Sequence, residues 1–303
     1  MTLAGDLGVD DVDRLCMDLE PFTSLSSHQA VSLDLSALGS VSASCLAVLV
    51  AVLRTAYSKS LRDPLCAFVA PVDPSLHGWL SEGSLRRLLE HGRNRPSTME
   101  QTCGGCEPFS SVDGIVQARE RLLAFVTEQA DLDERARSTV RQLLWDLAQN
   151  VLVHADIGGG VATARVDAKR QTLEIAVADR GIGIRESFVR AAVPDIGDDA
   201  SAMRAALEPG FTSAPEEEGK GMGLYLAKRA LANNGGTLAL RSGNARVEEP
   251  SDGQAADPLA SFKGTLVTAL ARLDRPLDVE LVFEMFESEA DARAVPRLDA
   301  ARR

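Results

Sequence analysis

Asp146 and Asn150 place a carboxylate and an amide four residues apart in a stretch where Leu143, Leu144 and Leu147 recur at helical spacing. On a helix, that spacing puts both polar side chains on one face, one turn from each other. The amide oxygen is a hard ligand that suits Mg²⁺, and the carboxylate can polarise water or a substrate hydroxyl. A solvated polar stripe on an amphipathic helix has the same spacing, so both interpretations stay open for this stretch alone.

A predicted strand leads into a second group of candidate residues. Residues 172–178 alternate as a strand does and run directly into Asp179, with Gly181 and Gly183 behind it. Glycines let the backbone turn tightly against a ligand. An aspartate at a strand end can accept a hydrogen bond from the exocyclic amine of an adenine. The segment therefore predicts an adenine-binding turn.

Two further glycine segments lie downstream. Gly219, Gly221 and Gly223 open an apolar helical pattern, and the free N–H groups of a helix N-terminus form a phosphate site. Gly264 and Thr265 open an alternating strand and place a hydroxyl on the sheet. Each glycine segment alone is as typical of an ordinary turn. Their order within about 120 residues is the stronger indication of function.

The order of these four elements resembles that of the GHKL ATP-binding family. This family includes DNA gyrase, the Hsp90 chaperones, MutL, histidine kinases and the anti-sigma serine kinases. The resemblance implies an α/β fold, the two-layer α/β sandwich also called the Bergerat fold, over residues 114–273. It also implies ATP and Mg²⁺ as cofactors.

The resemblance assigns roles residue by residue. It implies that Asn150 holds Mg²⁺, that Asp146 is the catalytic base and that Asp179 binds adenine. The other implied cofactor-binding residues are Gly181 and Gly183 at the adenine floor, Gly219, Lys220, Gly221, Gly223 and Leu224 at the phosphates, and Thr265 at the adenine. For Lys220, a surface lysine is an equal alternative. The family usually carries glutamate at the base position, so the shorter Asp146 leaves the efficiency of any chemistry open.

Residues 185–218 correspond to the mobile lid of this family. Within them, the segment from Glu208 to Ser213 resembles the phenylalanine-threonine lid segment of histidine kinases.

The first third of the chain has its own hydrophobic pattern. Residues 3–7 and 30–35 read as strands, residues 42–56 as a helix, residues 65–70 as a strand and residues 79–89 as a second helix. This order predicts a small α/β domain. It resembles the STAS domain of anti-sigma-factor antagonists, and we assign residues 1–92 to it.

The STAS signature is altered where that family is phosphorylated. Ser42 stands in place of an aspartate, Ala43 in place of the phosphorylated serine and Cys45 in place of a glycine. Ser44 could still accept a phosphoryl group. Alternatively, Ser42 or Ser44 is the N-cap of the following helix, which is the interpretation we favour.

Composition and turn-forming residues set the remaining boundaries. Residues 93–113 are rich in Gly, Pro, Ser and Thr and predict a linker. Within it, Cys103 and Cys106 form a single CxxC that fits a plain linker better than half a zinc site or a redox pair. Residues 274–303 predict an extension that is a strand over residues 279–283 and then polar and partly disordered.

The charge balance of −12 disfavours nucleic acid as a partner, because an acidic surface repels a phosphate backbone. No apolar run reaches the roughly 20 residues of a membrane-spanning helix, and the first residues do not resemble a secretory signal. We therefore expect a cytoplasmic protein without a membrane partner.

The subtype follows from what surrounds the ATP-binding segment. His28, His77 and His91 lack the sequence context of a histidine kinase phosphoacceptor, whereas residues 118–122 resemble the start of anti-sigma serine kinases. Together with a STAS-like domain, this predicts a partner-switching serine/threonine protein kinase or slow ATPase. Its partner would be an anti-sigma factor, an antagonist or a STAS-type protein. A nucleotide-switched binding module with little turnover is the alternative, and a chaperone- or topoisomerase-like ATPase or a histidine kinase is less favoured. A homodimer stays open.

Overall fold

A computed structural model describes residues 2–23, 31–59, 65–72, 76, 80, 85, 88, 105–214, 221–250 and 261–294. The predicted helix over residues 79–89 falls largely outside these ranges, as do Cys103, Gly219 and Lys220. Within the ranges, no helix is both long and apolar enough to cross a membrane.

The N-terminal part of the chain is a parallel sheet with helices between its strands. Its elements are β1 (Thr2–Leu7), a short 3₁₀ helix (Val9–Asp11), α1 (Val12–Thr23), β2 (Val31–Val41), α2 (Ala43–Lys59) and β3 (Leu65–Val69). The strand order is β1-β2-β3. The predicted strands and the predicted helix over residues 42–56 are confirmed. Helix α1 was not predicted, although Leu15, Leu19 and Phe22 on it are buried.

The remainder of the described chain is a six-stranded sheet covered by helices. The strands are β4 (Cys106–Phe109), β5 (Gly160–Asp167), β6 (Thr172–Ala178), β7 (Thr237–Gly243), β8 (Ala245–Glu249) and β9 (Phe262–Arg272), in the order β4-β5-β6-β9-β7-β8. All paired neighbours are antiparallel. The helices are α3 (Val112–Thr127), α4 (Glu134–His154), α5 (Ile184–Arg190), α6 (Asp199–Ala206), α7 (Gly223–Asn234) and α8 (Val279–Ala294). The predicted α/β fold class is confirmed.

The two faces of this sheet are buried against different partners, which strand β6 shows most clearly. Leu173, Ile175 and Val177 on β6 share a core with α3, α4 and α7. Ala176 and Ala178 point to the other face and share a core with the N-terminal helix α2. Side chains alternate between the faces of a strand, so β6 contacts both layers along its whole length. The N-terminal unit is therefore a third layer on the sheet.

Helix α2 has the composition that such a position requires. Residues 43–53 of α2 are all buried, and they are almost entirely apolar. A helix that is hydrophobic on all sides needs cover on all sides. The three-stranded sheet and α1 supply it on one side, and β5, β6 and β9 supply it on the other.

A buried carboxylate marks the place where α2 meets the sheet. Glu174 on β6 accepts hydrogen bonds from the backbone N–H groups of Ala43 and Ser44, at 3.0 and 2.9 Å, and from the Ser44 hydroxyl. Ser44 also lies 3.0 Å from the Thr268 hydroxyl and is fully buried. The carboxylate thus occupies the positive end of the helix dipole.

The N-cap interpretation of this segment is confirmed. The Ser42 Oγ accepts a hydrogen bond from the backbone N–H of Cys45 at 3.2 Å. Both Ser42 and Ser44 are at most 2% exposed, so neither hydroxyl is available to a kinase in this conformation.

Two sequence expectations differ from the structure at the edges of the second sheet. Residues 106–109, inside the predicted linker, form the edge strand β4, and Cys106 is buried in the core. Residues 279–283, predicted as a strand, are instead the start of α8; that prediction is wrong. Val279 and Val282 pack against α7, and the backbone N–H of Val279 donates to the Thr139 hydroxyl. The proposed boundaries of the two domains stay a prediction.

Asn234, at the end of α7, anchors the turn that leads into α8. It is fully buried, its amide donates to the carbonyls of Arg272, Arg275 and Pro276, and its oxygen accepts from the N–H of Arg272 at 2.6 Å. We expect Asn234→Leu to lower the free energy of unfolding by about 2–4 kcal/mol, since it leaves several buried backbone groups unpaired. Chemical denaturation measures this.

The neighbouring Asn233 is exposed and provides the matched control. Asn233→Leu should change the free energy of unfolding by no more than about 0.5 kcal/mol. Equal effects of the two substitutions would contradict the anchoring role of Asn234.

Candidate functional site

A cavity of about 290 Å³ lies between α4, α7 and the end of the second sheet. Eight of the residues predicted from the sequence line it: Asp146, Asn150, Asp179, Gly183, Gly221, Gly223, Leu224 and Thr265. Polar groups stand at both ends of the cavity. Val177, Phe188 and Val267 are among the apolar residues that line it. The fold thus brings segments that are far apart in the sequence around one space.

Asp179 is held rigidly at one end of the cavity. Its Oδ1 accepts hydrogen bonds from the backbone N–H groups of Gly181 at 2.7 Å and Thr265 at 3.2 Å. Its own N–H donates to the Thr265 carbonyl at 2.9 Å. Oδ2 is then the oxygen that can accept a hydrogen bond from a ligand in the cavity. Such a fixed acceptor suits the exocyclic amine of adenine.

Burial changes the protonation of this carboxyl group. Asp179 is 3% exposed, and desolvation raises its pKa to about 6, even though the hydrogen bonds from Gly181 and Thr265 lower it. The ionised carboxylate is the dominant form at neutral pH, but its buried charge lowers the stability of the folded protein. A hydrogen-bond donor on a bound ligand would offset part of this loss of stability.

The glycines after Asp179 have separate structural roles. A Cβ on Gly181 would stand 2.1 Å from the Ala155 carbonyl oxygen, so Gly181 packs the turn against the end of α4. Gly181 is not among the residues that line the cavity, and its place at the adenine floor stays a prediction. Gly183 has a φ of +81° and does line the cavity, where a Cβ would meet the Ser242 hydroxyl at 2.7 Å.

Asp146 lies at the opposite end, beside the start of α7. A Cβ placed on Gly223 would be 3.1 Å from the Asp146 Cβ, so the carboxylate side chain lies against the first residue of that helix. The Gln142 amide donates to Asp146 Oδ1 at 2.8 Å. Burial raises the pKa of the Asp146 carboxyl, although this hydrogen bond lowers it. A raised pKa brings a carboxyl group closer to the range where it acts as a base near neutral pH.

The backbone at the start of α7 is shaped to receive an anion. Gly221 has a φ of +62°, which favours glycine, and a Cβ there would collide with the backbone of Gly210 and Phe211. The Gly210 N–H donates to the Gly221 carbonyl at 3.1 Å. Asn150, one helical turn after Asp146 on α4, also lines the cavity. An amide oxygen opposite a helix N-terminus suits a magnesium-bound phosphate chain.

Some residues of the site were not assigned a role from the sequence. The Ser242 hydroxyl on β7 accepts from the Ile184 N–H at 3.0 Å and donates to the Gly264 carbonyl at 2.9 Å, which ties the glycine turn to the sheet. Gln142 could have been found, because it stands four residues before Asp146 on the same helix face. Ser242 carries no such local signal.

His154 also lines the cavity, one helical turn after Asn150. Its Nδ1 is 2.7 Å from the Ser213 hydroxyl, which in turn is 2.5 Å from the Ser187 hydroxyl. All three side chains line the cavity, so they form a polar wall between α4, α5 and the segment after Phe211.

Comparison with known proteins agrees with the site. Residues 136–274 match the family model described as "Histidine kinase-, DNA gyrase B-, and HSP90-like ATPase". The match covers 139 of the 303 residues, and over these residues the chain is similar to the ATPase domains of that family. Among solved structures, the chain is similar to the mycobacterial sensor histidine kinase MprB, with 19% identity over 55% of this chain and 95% of that chain and a TM-score of 0.29. No curated protein matches.

Proposed function

We propose that this chain is an ATP- and Mg²⁺-binding regulatory protein that acts on a protein partner. The observation that carries the proposal is the fixed Asp179 carboxylate, which faces a cavity that has Asn150 and the start of α7 at its far end. Adenine would be bound at Asp179 and Thr265. The triphosphate would extend toward Gly221 and Gly223, with Mg²⁺ shared between the phosphates and the Asn150 oxygen.

Phosphoryl transfer to a serine or threonine of the partner is the chemistry we assign to this arrangement. Such transfer depends mainly on positioning and on stabilising charge, which the helix N-terminus and Mg²⁺ supply. The Asp146 carboxylate, oriented by Gln142, would take the proton of the attacking hydroxyl or of a water molecule. A slow ATPase is the same chemistry with water as the acceptor.

The burial of Ser42 and Ser44 supports a separate protein as the acceptor. Both hydroxyls lie inside the contact between α2 and the second sheet, on the face opposite the cavity. The N-terminal unit therefore does not offer its altered STAS signature to the nucleotide in this conformation. We propose that this STAS-like unit serves partner switching as a regulatory element, with an anti-sigma factor or antagonist as the partner.

A second function, a nucleotide-switched binding module with little turnover, is favoured by one observation. The Asp146 side chain is one methylene shorter than the glutamate expected there, and one of its oxygens is already bonded to Gln142. A base that reaches its target poorly would leave binding intact and slow the chemistry.

Replacing the base separates these functions. Asp146→Asn should reduce phosphoryl transfer or ATP hydrolysis at least about 100-fold, because general base catalysis contributes about 10²–10⁴-fold. The affinity for ATP should change by less than about threefold, since Asp146 faces the reacting end of the nucleotide. Labelled ATP, with the chain alone and with cell extract, measures transfer and hydrolysis together.

The exposed Asp131 supplies the matched control, Asp131→Asn, which should alter neither quantity. Asp146→Glu should raise the rate. Turnover that survives Asp146→Asn would show that Asp146 is not the base, and the complete absence of turnover in the unaltered chain would favour the binding module.

A further inference from the structure

Arg180 directly follows Asp179, but its side chain lies on the other side of the second sheet. Asp179 lines the cavity, whereas the Arg180 guanidinium carbon stands 5.2 Å from the centre of the Phe262 ring. Phe262 is 1% exposed and belongs to the core that the sheet shares with the N-terminal unit. Two neighbouring residues of one turn therefore face the nucleotide cavity and the core beneath the N-terminal unit, respectively.

Helix α1 of the N-terminal unit reaches the surroundings of Arg180. Cys16 on α1 is 8% exposed and lies in the same core as Phe262. Burial raises the pKa of the Cys16 thiol to about 12, although the positive charge of the nearby Arg180 lowers it. The thiol is therefore neutral and gives the guanidinium no counter-ion. Arg180 thus lies between the turn at Asp179 and α1.

A buried ion pair holds α1 against the sheet near this point. Arg241 on β7 pairs with Asp13, which stands about one helical turn before Cys16 on α1. Arg241 is 4% exposed, so water has little access to the pair from the side of the arginine. Because one turn of helix is rigid, this pair sets which face of α1 meets Arg180.

The start of β9 joins Phe262 to Asp179. The Thr265 N–H donates to Asp179 Oδ1 at 3.2 Å, and the Asp179 N–H donates to the Thr265 carbonyl at 2.9 Å. Between Phe262 and Thr265, Gly264 has a φ of +108°, and a Cβ there would collide with the Asp179 carbonyl oxygen. Backbone packed this closely leaves little room for Phe262 to move without Asp179.

Arg180 also acts on Asp179 through its charge. Burial raises the pKa of the Asp179 carboxyl to about 6, whereas the hydrogen bonds from Gly181 and Thr265 and the charge of Arg180 lower it. The guanidinium is half-buried, and among the described residues its Nε has no hydrogen-bond acceptor, so the Phe262 ring is its main cover. Opposite charges stabilise each other more strongly away from water. Arg180 therefore favours the ionised carboxylate, which is the form that accepts from an adenine amine.

We propose that docking of the N-terminal unit sets the affinity of the cavity for adenine, with Arg180 as the positioning residue that couples the two. When the unit is docked, α1 and Phe262 hold the guanidinium beside the turn and away from water, where it stabilises the Asp179 carboxylate. When the unit is released, water reaches the guanidinium, screens its charge and leaves the start of β9 unsupported. The inference rests on the proposed function, since adenine must bind at Asp179.

The coupling acts in both directions. A ligand that binds better to the docked form strengthens docking by the same factor. Nucleotide in the cavity would therefore hold the N-terminal unit on the sheet, and a protein that removes the unit would release nucleotide. This gives partner switching a physical route from the STAS-like unit to the ATP site.

The test is calorimetric titration of adenosine, which has no phosphate to titrate, into the full chain and its Arg180→Met variant over a range of pH. At neutral pH, Arg180→Met should bind adenosine at least about fivefold more weakly, which is the lower end of typical coupling between sites. Removing the positive charge raises the pKa of Asp179, so the pH below which adenosine binding is lost should move upward. His154 also lines the cavity, but both proteins carry it, so the difference between them reports on Asp179.

Three further variants serve as controls. Arg180→Lys retains the charge and should keep that pH close to its original value. Arg170→Met, at an exposed position, should change neither the affinity nor the pH. Glu174→Leu, which loosens the unit at a contact earlier on β6, should also weaken adenosine binding. Combined with Arg180→Met, its effect should be less than additive, since both substitutions act on one coupling.

Limited proteolysis supplies the reverse measurement. Saturating adenosine should slow cleavage between the proposed domains at least about fivefold in the unaltered chain, but not in Arg180→Met. Equal adenosine affinity of the two proteins, or no protection by adenosine, would overturn the coupling and leave the proposed function intact. Weaker binding with an unmoved pH would overturn it too, because Arg180 would then only shape the turn. If the unaltered chain binds neither adenosine nor ATP, the proposed function fails and this inference fails with it.

Discussion

Asp179→Asn is expected to lower the affinity for ATP and for adenosine by about 100-fold while raising the melting temperature of the free protein. The first effect follows because the asparagine oxygen can still accept from Gly181 and Thr265, which leaves its NH₂ group facing the adenine amine. Two donors then oppose each other, and a hydrogen bond to a charged acceptor worth about 1.5–3 kcal/mol is lost. Adenosine should be affected as strongly as ATP, because the contact is to the base.

The stability effect follows from the pKa of this carboxyl. Burial raises the pKa to about 6 in the folded protein, against about 3.9 in an unfolded chain. The protonated form is therefore favoured by folding, and its contribution, fully present below pH of about 4, is lost as the pH rises through about 6. At a pH of about 7.5 the buried charge of Asp179 lowers the stability of the folded state, and the neutral asparagine removes that charge.

Thermal unfolding and calorimetry check both effects together. The difference in melting temperature between Asp179→Asn and the unaltered protein should shrink when the pH is lowered to about 5.5, as the native carboxyl becomes protonated. Asp131→Asn, at an exposed position, should show neither effect. Unchanged adenosine affinity in Asp179→Asn would contradict the assignment of Asp179 to the adenine.

Glu174→Leu is expected to have the largest effect on stability, lowering the free energy of unfolding by about 3–5 kcal/mol or releasing the N-terminal unit from the sheet. The substitution removes the acceptor of two backbone N–H groups and of the Ser44 hydroxyl, all of them buried. It also removes the negative charge at the N-terminus of α2. The strand itself should tolerate leucine.

Chemical denaturation and limited proteolysis measure the two forms of this effect. Glu128→Leu, at an exposed position after α3, is the control and should change the free energy of unfolding by less than about 0.5 kcal/mol. Release of the unit would expose the apolar residues of α2 and speed cleavage between the proposed domains. If Glu174→Leu unfolds like the unaltered protein and is cleaved no faster, the buried contact does not hold the N-terminal unit in place.

The local chemistry of the site could be predicted because its signals are local. Asp146 and Asn150 share a helix face at a spacing of four residues, and Asp179 ends a strand whose alternation is regular. Gly183 and Gly221 both have positive φ in the structure, as tight turns require. The order of these segments, which resembles that of the GHKL family, then indicated that they surround one site.

The contact between the N-terminal unit and the sheet could not be predicted from such signals. Alternation shows that Glu174 and Ile175 face opposite sides of β6, but it does not show whether the outer side meets water or protein. A carboxylate on that side is most simply expected to be solvated. Its burial depends on α2, which lies 130 residues earlier in the sequence.

Helix α8 shows a different limit on prediction from the sequence. Residues 279–283 form a short apolar run, which by itself does not distinguish a strand from a buried helix. The helix is selected by tertiary contacts, since Thr139 accepts from the N–H of Val279 and Phe286 packs edge-on against Tyr225. Pairing of Ser213 with His154 likewise joins segments whose separation in the sequence hides their contact.

Calorimetric titration of ATP into the full chain, in the presence of Mg²⁺, tests the central claim most directly. We predict saturable binding of one ATP per chain, which weakens strongly when Mg²⁺ is chelated, because the Asn150 oxygen and the phosphates share the ion. Asn150→Ala should remove this dependence on Mg²⁺ while adenosine still binds at Asp179. The absence of saturable heat at millimolar ATP, with a chain that unfolds cooperatively in the same buffer, would contradict the account.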